Sequence, residues 1–180
     1  GAAANIGGFA GRFDGIVAPI ISFDPGLRTT FWDTETSGLT TSDGGIGLTT
    51  AEFQNTDTFL ALGRDAGWDF GTTWAPGDTG FYPVLYTTSA VVFAEADPLT
   101  LVYGTTAGAT ATGTTAGGTD TFLRGPEGDS LDTDAAFAAL SFSDETVGER
   151  SFTIDTPTLT SAEGTYYRVV SATGSATITP

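Results

Sequence analysis

The chain has 180 residues, 39% of them hydrophobic and 12% aromatic, so one domain or two small ones can bury a core despite a formal net charge of −16. It contains no Cys, His, Met or Lys, and all six basic residues are Arg. That excludes thiolate nucleophiles, disulfides, thiolate metal sites, imidazole bases and ligands, and Schiff-base lysines. The 22 acidic residues set against six Arg repel phosphate backbones and anionic lipid, so no nucleic-acid partner is expected.

Abundant Gly and Thr with many short apolar runs predict an all-β protein rich in turns. The chain opens on "GAAANIGGFAGRFDGIV", without a basic and apolar leader, and reads as a processed piece of a longer protein. Between Gly7 and Val17, glycines alternate with Phe9, Phe13, Ile16 and Val17. This is the pattern of a β-solenoid or β-roll turn, and equally of an ordinary hairpin.

The stretch "FWDTETSGLTTSDGGIGLTTAEF", residues 31–53, combines dense Thr, Ser, Asp and Gly with buried-type residues. Its Gly and Thr content argues against a helix, and its aromatics argue against a linker. A boundary is expected within "YPVLYTTSA", residues 82–90, dividing a region 1–86 from a region 87–180.

Beyond it, strands are predicted at 90–96, 99–104, 120–125, 140–143, 150–155, 165–171 and 175–180, separated by Gly, Pro, Asp or Ser. In "TYYRVV" the period is two, with Tyr166, Arg168 and Val170 on one face. This spacing suits a small sandwich or twisted sheet. Asp132 is positioned to cap a short helix over Ala135–Leu140. The run 104–120, "GTTAGATATGTTAGGTD", lacks bulky residues and reads as a flexible or edge segment. No apolar run approaches the roughly 18–20 residues of a membrane helix, so no direct membrane insertion is expected.

The ordered series Phe31-Trp32-Asp33-Thr34-Glu35-Thr36-Ser37-Gly38, Thr41 to Phe53, Gly67-Trp68-Asp69-Phe70, Trp74 and Gly80 to Leu85 resembles the segment that closes GLUG-motif repeats in filamentous-haemagglutinin-like bacterial surface proteins. Gly7 to Gly11 and Gly15-Ile16 resemble a last degenerate repeat. Residues 87–180 are similar to the mostly-β MBG-type modules of such proteins, through Tyr103-Gly104, Gly164-Thr165-Tyr166 and Ala176 to Thr179. Residues 105–150 depart from that pattern.

The resemblance implies an all-β chain: a β-solenoid or β-roll end, or its cap, followed by a small β-sandwich-like or β-grasp-like domain. It implies a secreted adhesin or biofilm-matrix segment on a bacterial cell surface, with no catalytic residue to carry over. A terminal solenoid repeat must be atypical and covered. Trp32, Trp68, Phe70, Trp74, Phe81 and Tyr82 are the expected cover. Partners would be adjacent repeats of a longer chain, other copies of the protein, or surface glycans.

Three chemistries compete with this bland reading. Asp129, Asp132 and Asp134 form the densest acidic run and are candidate Ca²⁺ ligands, as is the Asp43-Gly44-Gly45 turn, although neither follows an EF-hand or nonapeptide order. Asp33 and Glu35, beside Trp32, are spaced like paired carboxylates, but in so turn-rich a sequence Asp is first a turn former. Exposed Trp68, Trp74 or Tyr82 would suit stacking on a sugar, against the more ordinary use of aromatics in cores. Finally, "ATITP" at the C-terminus, with Ala176 and Ile178 on one face, is a candidate assembly strand for a filament built by β-strand addition.

Overall fold

The computed structural model describes residues 30–42, 44–117, 134–155 and 168–180. The fold is mostly β, with twelve strands and three short helices among these residues. It divides into two compact units. The first takes the described residues up to Asp69 together with Gly77–Pro83; the second takes Phe70–Pro76 and the described residues from Val84 to Pro180.

In the first unit, β1 (Phe31–Asp33) and β2 (Ile46–Leu48) pair in parallel, Phe31 opposite Ile46 and Trp32 opposite Gly47. Single-turn helices follow each strand: α1 (Thr34–Ser37) and α2 (Thr50–Phe53). The expectation that residues 31–53 hold no helix is thus corrected. The polar residues that spoke against helix serve as its ends. Asp33 caps α1, Gly38 closes it at φ 67°, and Thr49 with Glu52 forms a capping box on α2.

Helix α3 (Thr56–Asp65) is capped by Asn55, with Asp57 in its first turn and Arg64 in its last, both favourable to the helix dipole. It buries Phe59, Leu60 and Gly63. It ends in a Schellman turn: Gly67 N–H donates to the Arg64 carbonyl (2.9 Å) and Trp68 N–H to the Gly63 carbonyl (2.8 Å), with Gly67 at φ 82°. No atom lies within 4 Å of a Cβ built on Gly67, so Gly67→Ala carries only the cost of the left-handed backbone. We expect a loss of about 1–2 kcal/mol in chemical denaturation.

The second unit holds a two-stranded pair, β3 (Trp74–Ala75) with β4 (Val84–Leu85), and two four-stranded sheets. One sheet has the order β11 (Arg168–Ser171), β5 (Val91–Ala96), β7 (Ala111–Gly117), β8 (Asp134–Phe137). The other runs β6 (Leu99–Val102), β12 (Gly174–Thr179), β10 (Gly148–Ile154), β9 (Leu140–Phe142). Ala94, Ala111 and Phe137 of the first sheet share one apolar cluster with Phe152, Ile154 and Ala176 of the second.

Two local expectations fail here. The small-residue run 104–120 supplies β7, an inner strand paired with both β5 and β8, with Ala111 and Thr115 buried. Its lack of bulk is what the site requires: a Cβ on Gly113 would fall 2.1 Å from the Glu95 carbonyl and 2.7 Å from the Phe137 ring. The Ala-rich run is not a helix either. Residues 134–137 and 140–142 are strands, because pairing with β7 and full burial of Phe137 outweigh the helix preference of alanine. The expected strand 120–125, the Gly7–Val17 repeat and Tyr166 lie outside the described residues.

Candidate functional site

The aromatic residues of the first unit converge. Phe59 is fully buried at the centre. Its ring lies 5.3 Å from Phe31, 5.3 Å from Trp68 and 5.5 Å from Phe53, and Phe31 also meets Trp68 edge-on at 5.4 Å. Local chemistry produces this meeting. The Schellman turn sends the chain back at Trp68 so that the indole returns toward the helix face carrying Phe59, and β1 presents Phe31 from the other side.

Tyr82 joins the cluster at its rim, 5.4 Å from Phe53. The segment that carries Tyr82 is tied down at two points. Thr56 Oγ1 donates to the Gly77 carbonyl (2.9 Å), and Gly80 N–H donates to Gln54 Oε1 (3.2 Å). Gly77 itself tolerates no side chain, since a Cβ would lie 1.8 Å from the Phe53 carbonyl oxygen.

Beside the aromatics sits a polar clamp centred on Asp33. Its Oδ1 accepts from the backbone N–H groups of Glu35 (2.8 Å) and Thr36 (2.9 Å). Its Oδ2 accepts from Thr50 Oγ1 (2.7 Å) and Tyr82 Oη (2.5 Å). Glu35 Oε2 accepts from Thr50 N–H (2.9 Å), and Thr34 Oγ1 donates to the Leu48 carbonyl (3.1 Å). One carboxylate therefore holds α1, α2 and the Tyr82 segment together.

Burial raises the Asp33 pKa, and this is the largest single influence. The bonds from Tyr82, Thr36, Thr50 and Glu35 together outweigh it and lower the carboxyl from 3.8 to about 2. Backbone and side-chain bonds from Thr49 likewise lower Glu52. A group held at about 2 is ionised throughout the ordinary pH range, so Asp33 is a permanent acceptor, not a proton donor. Its depressed pKa stabilises the fold fully above the unfolded value near 3.8, and that contribution is lost as pH falls through about 2. Asp33→Asn should flatten the acid limb of the stability curve between about pH 4 and 2. It should also weaken the unit at neutral pH by about 1–3 kcal/mol, since the amide nitrogen cannot accept all four bonds.

The remaining expected site residues divide as follows. Trp32 is buried on β1, its ring packed over Gly47, where a Cβ would lie 3.0 Å from the indole. Its indole N–H is buried without an acceptor, a polar cost of this packing. Phe70 and Trp74 group with the second unit, not with the Phe59 cluster. Phe70 is buried there, its carbonyl accepting from the buried Tyr86 hydroxyl (2.8 Å), and Trp74 is half-buried in β3. Phe81 is 52% exposed.

Ala176 and Ile178, the expected assembly residues, lie within the chain's own sheet. Strand β12 lies between β10 and β6 and uses both of its edges, and both side chains are buried. It has no edge to offer another copy without leaving its own sheet. Asp43, Asp129 and Asp132 lie outside the described residues, and Asp134 opens β8 opposite Thr114. Among the described residues no three acidic groups converge as a metal site. Among them too, no helix is long and apolar enough to cross a membrane.

The sequence reading missed α3 and with it Phe59; it took Phe31 and Phe53 as buried-type residues without bringing them to a common centre. The signals were present as Asn55 before an apolar pair at 59–60 and Gly67 just past the end. No protein-family model, no curated protein and no solved structure matches the chain.

Proposed function

We propose that the chain is a structural, adhesive segment of a secreted bacterial surface protein, in which the first unit closes the end of a β-solenoid and the second is a small β-sandwich module. The observation that carries this reading is the parallel β1–β2 pair whose Phe31 is covered by Phe59 and Trp68. In a solenoid the strands of successive rungs stack in parallel, as β1 and β2 do across α1, and the last rung exposes backbone edges and an apolar end unless something covers them. Helix α3 and its Schellman turn supply such a cover. The GLUG-like order of Trp32, Asp33, Gly47, Trp68 and Tyr82 supports the same reading.

On this view Asp33 and Glu35 lock the cap and perform no catalysis, and the partners of the first unit are adjacent repeats of the same kind. The acidic surface keeps such a protein dispersed and away from nucleic acid.

A test is to compare the parent with Phe59→Asp by sedimentation velocity. A cap that is opened should convert a discrete species into higher oligomers through the bared end. A variant that unfolds without associating argues against the cap.

A further inference from the structure

A second feature lies on the sheet β6-β12-β10-β9 of the second unit and is independent of the cap reading. Strands β10 and β12 alternate strictly. Phe152, Ile154, Ala176 and Ile178 are buried, whereas Glu149, Ser151, Ser175 and Thr177 are exposed. The register sets Glu149 opposite Thr177 and Ser151 opposite Ser175, so these four form two adjacent cross-strand pairs on the outer face. Ser143 extends the row, its hydroxyl bonded to that of Ser151 (2.9 Å).

The row floors an open depression of about 720 Å³, bounded on the β6 side by Pro98 and Leu99 and on the β9 side by Asp144. The β9-side wall is built and held in place. Asp144 accepts from Thr146 N–H and Thr146 Oγ1, both at 2.9 Å. The Arg150 guanidinium donates to Thr146 Oγ1, to the Val147 carbonyl (2.9 Å) and to the Glu149 carbonyl (2.6 Å), with Nε 3.3 Å from Asp144. The terminal nitrogens of Arg150 are thus engaged within this wall, and its charge is set against Asp144.

The chemistry of the floor selects among ligands. Covering a row of hydroxyls with an apolar partner would strip their water without replacing it. An anion would meet Glu149 and Asp144, and Arg150, the one cation among the described residues that line the depression, is already set against Asp144. A polyhydroxylated ligand fits, because the Ser175 and Thr177 hydroxyls can donate or accept, those of Ser143 and Ser151, whose protons go to the Ser151 carbonyl and to the Ser143 hydroxyl, can still accept, and Glu149 offers a charged acceptor to a ligand hydroxyl. The floor crosses β10 and β12 and reaches Ser143, just past the end of β9, with strands spaced at ~4.8 Å, which is room for an extended chain lying across the sheet. We propose that this face is a binding groove for a neutral oligosaccharide, with Glu149, Ser175 and Thr177 as its principal contacts.

The test is a titration of the full ¹⁵N-labelled chain with maltohexaose, cellohexaose and N-acetylchitohexaose, following backbone amide shifts. The expected result is a saturable shift of Ser143, Ser151, Ser175 and Thr177 with at least one of the three. Glu149→Gln should then weaken binding on the order of tenfold, the cost of one charge-assisted hydrogen bond. Thr177→Val should weaken it similarly, and both variants should melt with the parent because both positions are exposed. Three results would overturn the proposal: no saturable shift with any of the sugars, unchanged affinity in Glu149→Gln, or a response of these amides to a hexa-arginine peptide and not to sugar. The last would make the face a merely acidic surface.

Discussion

Phe59→Ala is expected to destabilise the first unit by about 3–5 kcal/mol in urea denaturation, the usual cost of truncating a fully buried phenylalanine. Phe59 touches three aromatic rings from β1, α2 and the Schellman turn, so its loss opens a cavity that no single neighbour can fill. The companion substitution Trp74→Ala should cost less and should leave the first unit's transition in place, because Trp74 is half-buried in the second unit. Equal effects from the two, or a Phe59→Ala transition coincident with the parent's, would dispose of the Phe59-centred packing.

The second large effect is expected at Gly174. A Cβ there would lie 2.2–2.7 Å from three atoms of the Phe152 ring. Phe152 is itself fully buried in the cluster shared by the two sheets, so the ring cannot move aside without disturbing Ile154 and Phe142. Gly174→Ala should cost about 1–3 kcal/mol or more by overpacking. Combined with Phe152→Leu, which empties the space the new methyl needs, the double variant should be markedly more stable than the sum of the two single losses predicts. Additive losses would show that the ring and the glycine do not meet.

These positions also show how far the sequence was legible. The strands of the second unit were readable because alternation and punctuation coincide: Asp97-Pro98 separates β5 from β6, and Ser151 to Ile154 alternates cleanly in β10. The inner strand β7 was not, since Ala, Thr and Gly carry no amphipathic signal and the strand exists to let Phe137 and Ala94 pack closely. Ala135 and Ala136 misled for the converse reason: local helix preference lost to sheet pairing.

In the first unit the aromatics were identified as a group, but their assembly depends on α3, which was hidden by Thr56, Thr58 and Gly63 within the helix. The role of Asp33 was open in the sequence between a turn, a carboxylate pair and a cap. Only the positions of Thr50 and Tyr82, distant along the chain, resolve it. The Glu149–Ser175 groove had no signature, because its residues come together through β10–β12 register alone.

The central claim is that α3 and its aromatics close the end of the parallel β1–β2 stack. Negative-stain electron microscopy of the parent beside Phe59→Asp, at equal concentration and with and without millimolar Ca²⁺, tests it most directly. The account predicts discrete particles for the parent in both conditions and end-to-end strings for the variant. Fibres formed by the parent itself, or discrete particles in every sample, would contradict it.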